Sequence, residues 1–591
     1  MHPNKAPWQL LLPFAALVVG CSDPATPPAG DAAADVPSTD APALADASLD
    51  GPMTDAAVPA DTTPAADRSA STDGASPALA CARPIAAADV SHPTTVVGTG
   101  TAASCTVAAL TAAVTAGGAI TFNCGGPATF TLTAELALPT DRDVVIDGGG
   151  TVTLDGGGHT RILHYHSGDY RGRYGGPQHV VTVQRTTFAH GHATGTAIDV
   201  PAGAPAACSR GTGIDGGGGA ILVESGVLHV VDCTFTDNQA AQVGPDVAGG
   251  AVYATGSTDL TVVGSTFTGN SAANGGAVAG LNSDVTLVDD VFRMNAATGS
   301  GANSIDTTMC PAAVHGGEIG NGGNGGAVCL DGGDDGTLTI CGCTVAHNTS
   351  GALGGGLFRT PDGATRDVVI DLSTFDGNTA PNSGGGAMYI HNSTLRVTRS
   401  TYSGNSARSA GAIQADGTRF DFTNVTLTGN IATTGVGGAF AVFNYDASGR
   451  LPAGTLTNCT VVGNEAHGMN YAAFAAASFG SAFAFNNCVV ANNSDDDRNA
   501  DATCANSGTS SHSVQWPVSW PTSGMDPPCA PGITFADPAP GTLGDHGGPT
   551  LTVPMTAAES VLRVGTNCPA TDQAGHPRST PCTVGALERG Y

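Results

Sequence analysis

Lysine is almost missing from this chain: Lys5 is the only one among 591 residues, and it lies in an N-terminal leader. Downstream of that leader no ammonium is available for Schiff-base chemistry or for a lysine general base. Lys and Arg together number 21 against 50 Asp and Glu, a formal net charge of -29. That balance makes nucleic acid and anionic lipid headgroups poor electrostatic partners. Helical periodicity is confined to one stretch, and the 84 glycines follow no period of three, which excludes collagen. There is no Ser-His-Asp context, phosphate loop, dinucleotide fingerprint, EF-hand spacing or nonapeptide Ca²⁺ repeat. Cys341-x-Cys343 has the wrong spacing for a zinc knuckle.

What is present is a degenerate double motif between about residues 218 and 493. Its second half, an aromatic or apolar residue followed three positions later by asparagine, occurs nine times. The asparagines are Asn238, Asn270, Asn295, Asn348, Asn378, Asn405, Asn430, Asn464 and Asn493, spaced 32, 25, 53, 30, 27, 25, 34 and 29 residues apart. The gap of 53 is expected to hide one degenerate or looped-out copy. The first half, Gly-Gly-Ala before a short apolar run, begins at Gly249, Gly275, Gly325, Gly385 and Gly437. A supersecondary unit repeated in this way is a solenoid.

Between the halves, segments such as Leu260-Thr-Val262, Val285-Thr-Leu287 and Leu395-Arg-Val397 alternate apolar with mostly polar residues. Period two means strand. Three short strands per unit, bounded by Gly, Asn, Asp and Ser, describe an all-β, right-handed, single-stranded parallel β-helix. Equivalent residues then form ladders about 4.8 Å apart. Phe235, Phe267, Phe292, Phe375 and Tyr402 are expected to stack inside. The asparagines are expected to turn corners, where Asn tolerates the left-handed region and its amide can bond a neighbouring coil. The paired glycines imply positive φ or close backbone approach.

The leader carries Lys5 and an apolar run of ten residues from Leu10 to Val19, one of them the interrupting Pro13, too short to span a bilayer. Residues 1–20 read as a signal peptide. Residues 22–80 hold ten Asp, no Glu, no aromatic residue and a single base, Arg68. Such a segment cannot offset chain entropy by burial, so residues 21–80 are expected to be a disordered tether. Residues 81–542 are assigned to the β-helix with its N-terminal cap. Thr106 to Ala116 (TVAALTAAVTA) is the one convincing amphipathic helix and is expected to cover the first coil. Residues 543–591 form a distinct C-terminal segment.

Sixteen cysteines leave fifteen after Cys21, an odd number for an exported chain. Cys233, Cys343, Cys459 and Cys488 each lie five residues before a ladder asparagine and share that slot with Ser265, Ser373 and Ser400. They read as small inward space-fillers, and Cys459 with Cys488 are placed to bridge adjacent coils. Cys105 with Cys124, Cys504 with Cys529, and Cys568 with Cys582 are the other plausible pairs; spacing does not fix connectivity.

Val18-Val19-Gly20-Cys21 resembles a bacterial lipobox, which implies cleavage before Cys21 and lipid on its sulfur and amine; Ser22 then implies the outer membrane. Val144-Val-Ile-Asp147-Gly-Gly-Gly-Thr-Val-Thr-Leu-Asp155 resembles an opening coil of pectate-lyase-like β-helices. Gly544-Asp545-His546-Gly547-Gly548-Pro549, Asp572-Gln573-Ala-Gly575-His-Pro577-Arg578 and Cys582-Thr-Val-Gly585-Ala586-Leu-Glu588 resemble the choice-of-anchor Q domain of bacterial surface proteins. The Gly-Gly-Ala and Phe-x-x-Asn repeats are similar to those of polymorphic outer membrane proteins. The resemblance implies a surface-displayed, lipid-anchored, monomeric β-helix. Its expected partners are the membrane, through its lipid, and a polysaccharide or surface protein.

Pectate-lyase-like folds also host lyases and glycoside hydrolases, and fold alone does not decide between enzyme and binder. With lysine gone, a lyase base would have to be arginine, such as Arg396, Arg399 or Arg419; a solvated outer face explains these equally. A hydrolase would need outer carboxylates about 5–10 Å apart. Asp367 with Asp371, or Asp331 with Asp334 and Asp335, are the candidates, the latter better read as a Gly-rich turn that can bind Ca²⁺ weakly. No other cofactor is expected. Between His159 and His192 lie six of the sixteen histidines, together with Tyr165, Tyr170, Arg171, Arg173 and Tyr174. On strands His164 and His166 would share a face, as would His190 and His192, which permits a two-coil metal site or sugar platform. The bland reading is a polar loop. The leading expectation is a non-enzymatic cell-surface lipoprotein with no catalytic residues and no metal. The alternative is a polysaccharide lyase or glycoside hydrolase, and a structural spacer is the third reading.

Overall fold

The computed structural model describes residues 79–590 except 169–177, 198–211, 302–320, 333–335, 362–364, 444–452, 468–472, 477–481, 496–502, 505–507 and 517–527. The leader, Cys21 and most of the tether lie outside the described residues, as do Tyr170, Arg171, Arg173, Tyr174, Asp334 and Asp335.

The alternating segments form strands that pair in parallel with the equivalent segments of neighbouring coils. One coil runs through Val252–Thr255, Asp259–Val263, Thr266–Thr268 and Ser271–Ala272. The next pairs with it in register, Val252 with Val278, Leu260 with Val285, Phe267 with Phe292 and Ser271 with Ala296. The result is a parallel β-helix built of three sheets. From Val252 to Asp495 the described coils have four extended segments where three were expected. The reason is a left-handed residue between the second and third, at φ 51° in Asp232, 66° in Gly264, 55° in Asp289, 45° in Arg399 and 54° in Asn424, which folds one sheet around a bend.

The inward positions make the core. Phe188, Phe235, Phe267 and Phe292 stack with centroids 4.9, 4.7 and 4.9 Å apart, and Phe375 stacks on Tyr402 at 5.0 Å; all are fully buried. Each ring removes about 150–250 Å² from water. The stack begins one coil earlier than the asparagine motif, because Gly191 stands where the next coils have asparagine, its N–H donating to Asn238 Oδ1 at 2.9 Å.

The ladder asparagines are buried and do not themselves adopt positive φ. The residue before each one does, for example Asp237 at 51°, Gly269 at 69°, Met294 at 54° and Gly404 at 59°. The left-handed backbone expected of the asparagines falls on the preceding residue, while the expected amide bonding to neighbouring coils is present. Asn405 receives 2.9 Å contacts from the backbone N–H and the Nδ2 of Asn378, donates its own to Asn430 Oδ1, and bonds Phe375 O at 2.9 Å. Each such bond is worth about 1 kcal/mol net and costs more when one partner is orphaned.

The gap of 53 residues inserts no further coil among the described strands: Asn295 donates directly to Asn348 Oδ1 at 2.9 Å, and Phe292 pairs with Val345. Thr298 and Gly299 still donate to Ala272 and Ala273, and Asn324 already receives the Gly275 N–H; residues 302–320 lie outside the described residues. Both roles open to the paired glycines are used. Gly249, Gly275, Gly325, Gly385 and Gly437 have φ of 53–76°, while a Cβ on Gly250, Gly276 or Gly386 would collide with a carbonyl of the next coil.

Helix Val107–Ala116 begins on Thr106, whose hydroxyl accepts from Ala109 N at 3.2 Å. It buries Leu110, Ala113 and Val114 against the first strands. The first described residues and the C-terminal segment lie along the bend of the sheet. Cys81 is bonded to Cys341, Arg83 pairs with Asp232, and Ala88 exchanges bonds of 2.7 and 3.1 Å with the Gln184 amide. The C-terminal segment covers later coils, and Leu79 meets Gly575.

Cys105–Cys124, Cys504–Cys529 and Cys568–Cys582 are joined. The Cys459–Cys488 bridge is not formed: both thiols are free and buried. Each sulfur points back to the carbonyl two residues earlier, Cys459 to Thr457 O at 3.5 Å and Cys488 to Asn486 O at 3.3 Å. This repeats the bond that Ser373 makes to Asp371 O at 2.7 Å in the same slot.

Candidate functional site

A cluster of histidine and carboxylate side chains sits on the outer face of the eleven-stranded sheet, near its N-terminal end. In strand Leu163–His166 the alternation buries Leu163 and Tyr165 in the core and turns His164 and His166 outward, with ring centroids 6.1 Å apart. The strand pairs with Ile221–Glu224 in register, His166 beside Glu224. Glu224 Oε2 lies 2.8 Å from His166 Nδ1 and 2.9 Å from His164 Nε2. From the preceding coil, Glu135 places Oε1 3.3 Å from His164 Nδ1 and takes Arg161 Nη1 on Oε2 at 3.0 Å. Arg161 is held in turn by the carbonyls of Asp215, Gly217 at 3.0 Å and Gly218 at 3.1 Å.

Electrostatics follow the contacts. Burial disfavours the charged form of His164, but hydrogen bonds with Glu135 and Glu224 outweigh it and raise its pKa to about 8. Burial pushes Glu224 up, and the two imidazoles more than reverse this, leaving it below the usual carboxylate range. Glu135 is held low by His164, against burial and with help from Arg161. At neutral pH and with no ion bound, the group is a chain of alternating charges.

His190 and His192 do not share a face in the way expected. His190 has φ 49°, which breaks the alternation; it lies 3.3 Å from Asp155, while His192 Nδ1 is 2.9 Å from Gly158 O. His159 turns to Gly157 O at 2.9 Å, and His179 to Asp143 at 3.2 Å. Only His164 and His166 of this histidine-rich stretch meet in one cluster.

The arginine and aspartate candidates do not form a groove. Arg399 is engaged by Asp371, which also accepts from Thr398 at 2.6 Å. Arg396 and Arg419 are exposed on different rows, Arg396 beside Asp421 and Arg419 beside Thr394. Asp367 is exposed beside Thr394, and Asp331 ends strand Val328–Asp331. The ladder asparagines lie inside the coils.

Glu135, Arg161 and Glu224 were not singled out from sequence, since they come from three different coils. One signal was available: aligning Ile-Leu-Val-Glu224 on Leu-His164-Tyr-His166 puts a carboxylate at the end of a His-x-His strand. No family model and no curated protein matches this chain. A solved structure described as "a new PL6 alginate lyase complex with trisaccharide" is similar in fold at 11% identity and a TM-score of 0.39, covering 76% of this chain and 88% of that one.

Proposed function

We propose that this protein is a non-enzymatic cell-surface lipoprotein, anchored in the outer membrane through Cys21, whose β-helix is displayed for adhesion or for binding glycan or envelope components. The likeness of its repeats to polymorphic outer membrane proteins, and of its C-terminal segment to choice-of-anchor Q domains, supports this reading. The observation that carries it is how the outer face spends its charge. Of the three candidate arginines, Arg399 is tied to Asp371, Arg396 lies beside Asp421 on the neighbouring strand, and Arg419 sits on a different row beside Thr394. Loops carried on a repeated strand scaffold suit recognition, since loops carry specificity where strands carry stability.

The test incubates the full chain with acidic and neutral polysaccharides, with and without Ca²⁺, and follows polymer length. Unchanged length together with retention of at least one polymer or envelope fraction on immobilised protein is the expected result. Shortening that a chelator abolishes would sink the reading and indicate a lyase.

A further inference from the structure

We propose that His164, His166 and Glu224 form a binding site for a divalent transition ion of the zinc class, with Glu135 orienting His164. The inference does not depend on the display function.

The donor set is two imidazole nitrogens and a carboxylate oxygen, which suits a borderline transition ion; Ca²⁺ and Mg²⁺ want oxygen alone. The donor atoms all lie within 4.8 Å of one another. Glu224 Oε2 already touches both rings, so an ion taking bonds of about 2.0–2.2 Å enters by replacing two hydrogen bonds, with small rotations of side chains rooted on paired strands.

The surroundings supply a second, independent argument. A ligating histidine needs its other nitrogen protonated and fixed, usually by a carboxylate. Glu135 stands at His164 Nδ1 and is fixed by Arg161, itself buried and held by carbonyls of residues 215–218. Once Nε2 gives up its proton and its contact with Glu224 to the ion, Glu135 is placed to hold the remaining proton on Nδ1. Access is provided too: the His166 side chain is 60% exposed while that of Glu224 is 14% exposed, so one ligand faces solvent and the anchoring carboxylate does not. Three protein ligands leave a further position for water or an exogenous group.

The competing description is an ion-paired cluster whose only business is to tie three coils together. To separate the two, the full chain, with no added histidine tag and stripped by a chelator, is titrated with Zn²⁺ by calorimetry and with Co²⁺ by visible absorption. The expected result is one ion per chain at this site, an intense Co²⁺ band, and no competition from excess Ca²⁺. His166→Ala and Glu224→Gln should abolish the site, and Glu135→Gln should weaken it about 10–100-fold. Circular dichroism checks that the variants fold; should Glu224→Gln fail, the largely exposed His166→Ala decides alone. Equal Zn²⁺ binding by wild type and a folded His166→Ala, or absence of the Co²⁺ band from wild type, overturns the proposal.

Discussion

Asp416 shows how much a single side chain can set against its scaffold. It ends strand Ile413–Asp416, buried, with Gln414 Nε2 donating to Oδ2 at 2.9 Å and His391 in register on the neighbouring strand. Burial is the dominant influence and pushes its carboxyl up to about 7, although hydrogen bonds from Gln414 and Tyr389 pull the other way. In the unfolded chain it returns to the ordinary value near 4. The folded state therefore holds the proton to higher pH, so the stability linked to Asp416 is complete below about pH 4 and is lost as pH rises through about 7. Asp416→Asn stays neutral throughout. Wild type should lose more of its urea midpoint between pH 5 and pH 8 than Asp416→Asn does; equal losses would show that Asp416 ionises freely. No sequence signal marked this residue, because its burial comes from packing between coils. The asparagines were legible because they repeat in register. Their backbone was misjudged, since the strain falls on the residue before each of them.

The C-terminal segment shows what the repeats could not announce about elements. Outward threonines in the aromatic strands are at least partly exposed in early coils, at Thr234, Thr266, Thr344 and Thr374, and become buried at Thr401, Thr426 and Thr460. The segment lies over that row. Thr426 Oγ1 donates to Gln573 Oε1 at 2.7 Å, and Gln573 Nε2 to Thr401 and Thr550 at 2.8 and 2.9 Å. Asn424 and Asn487 each reach it at 2.9 Å, from left-handed positions filled in other coils by Asp, Gly, Leu or Arg. The residues that carried the family resemblance thus have a local use: Arg578 bonds Asn424 at 2.7 Å, and Glu588 receives the Thr583 N–H at 3.0 Å. Their identity was legible, but their docking along the side of the coils was not, since the receiving threonines look like any other in the repeat. Gln573→Ala orphans buried hydroxyls at a cost of about 1–3 kcal/mol. Limited proteolysis should then cut within residues 538–590 earlier than in wild type while the strand core resists. An unchanged cleavage time would mean that the segment is held elsewhere.

For the whole molecule, sequence period and strand pairing agree because a solenoid repeats one local solution, and each coil need only satisfy its neighbours. This is why the fold was readable while the candidate site was read only in part: His164 and His166 share a strand that Arg161 shortly precedes, but Glu135 and Glu224 are brought in by neighbouring coils. The same architecture bears on display. The described chain starts at Leu79 beside Gly575, partway along the coils, and Cys81 is bonded to Cys341 across 260 residues of sequence. A pull on the N-terminal side would therefore be borne by a cross-link into the middle of the stack and not by peeling an end strand. Load along residues 21–80 is what a lipid at Cys21 would produce. Two acyl signals at one residue are needed for stable anchoring, since one chain alone binds reversibly. Expressed in a Gram-negative host, wild type should partition with detergent and membranes, with a mass that includes lipid at Cys21. Cys21→Ala should move to the aqueous phase with its β-sheet spectrum intact. Membrane retention of a folded Cys21→Ala protein would remove the lipid from the account and leave the anchoring to some other part of the chain.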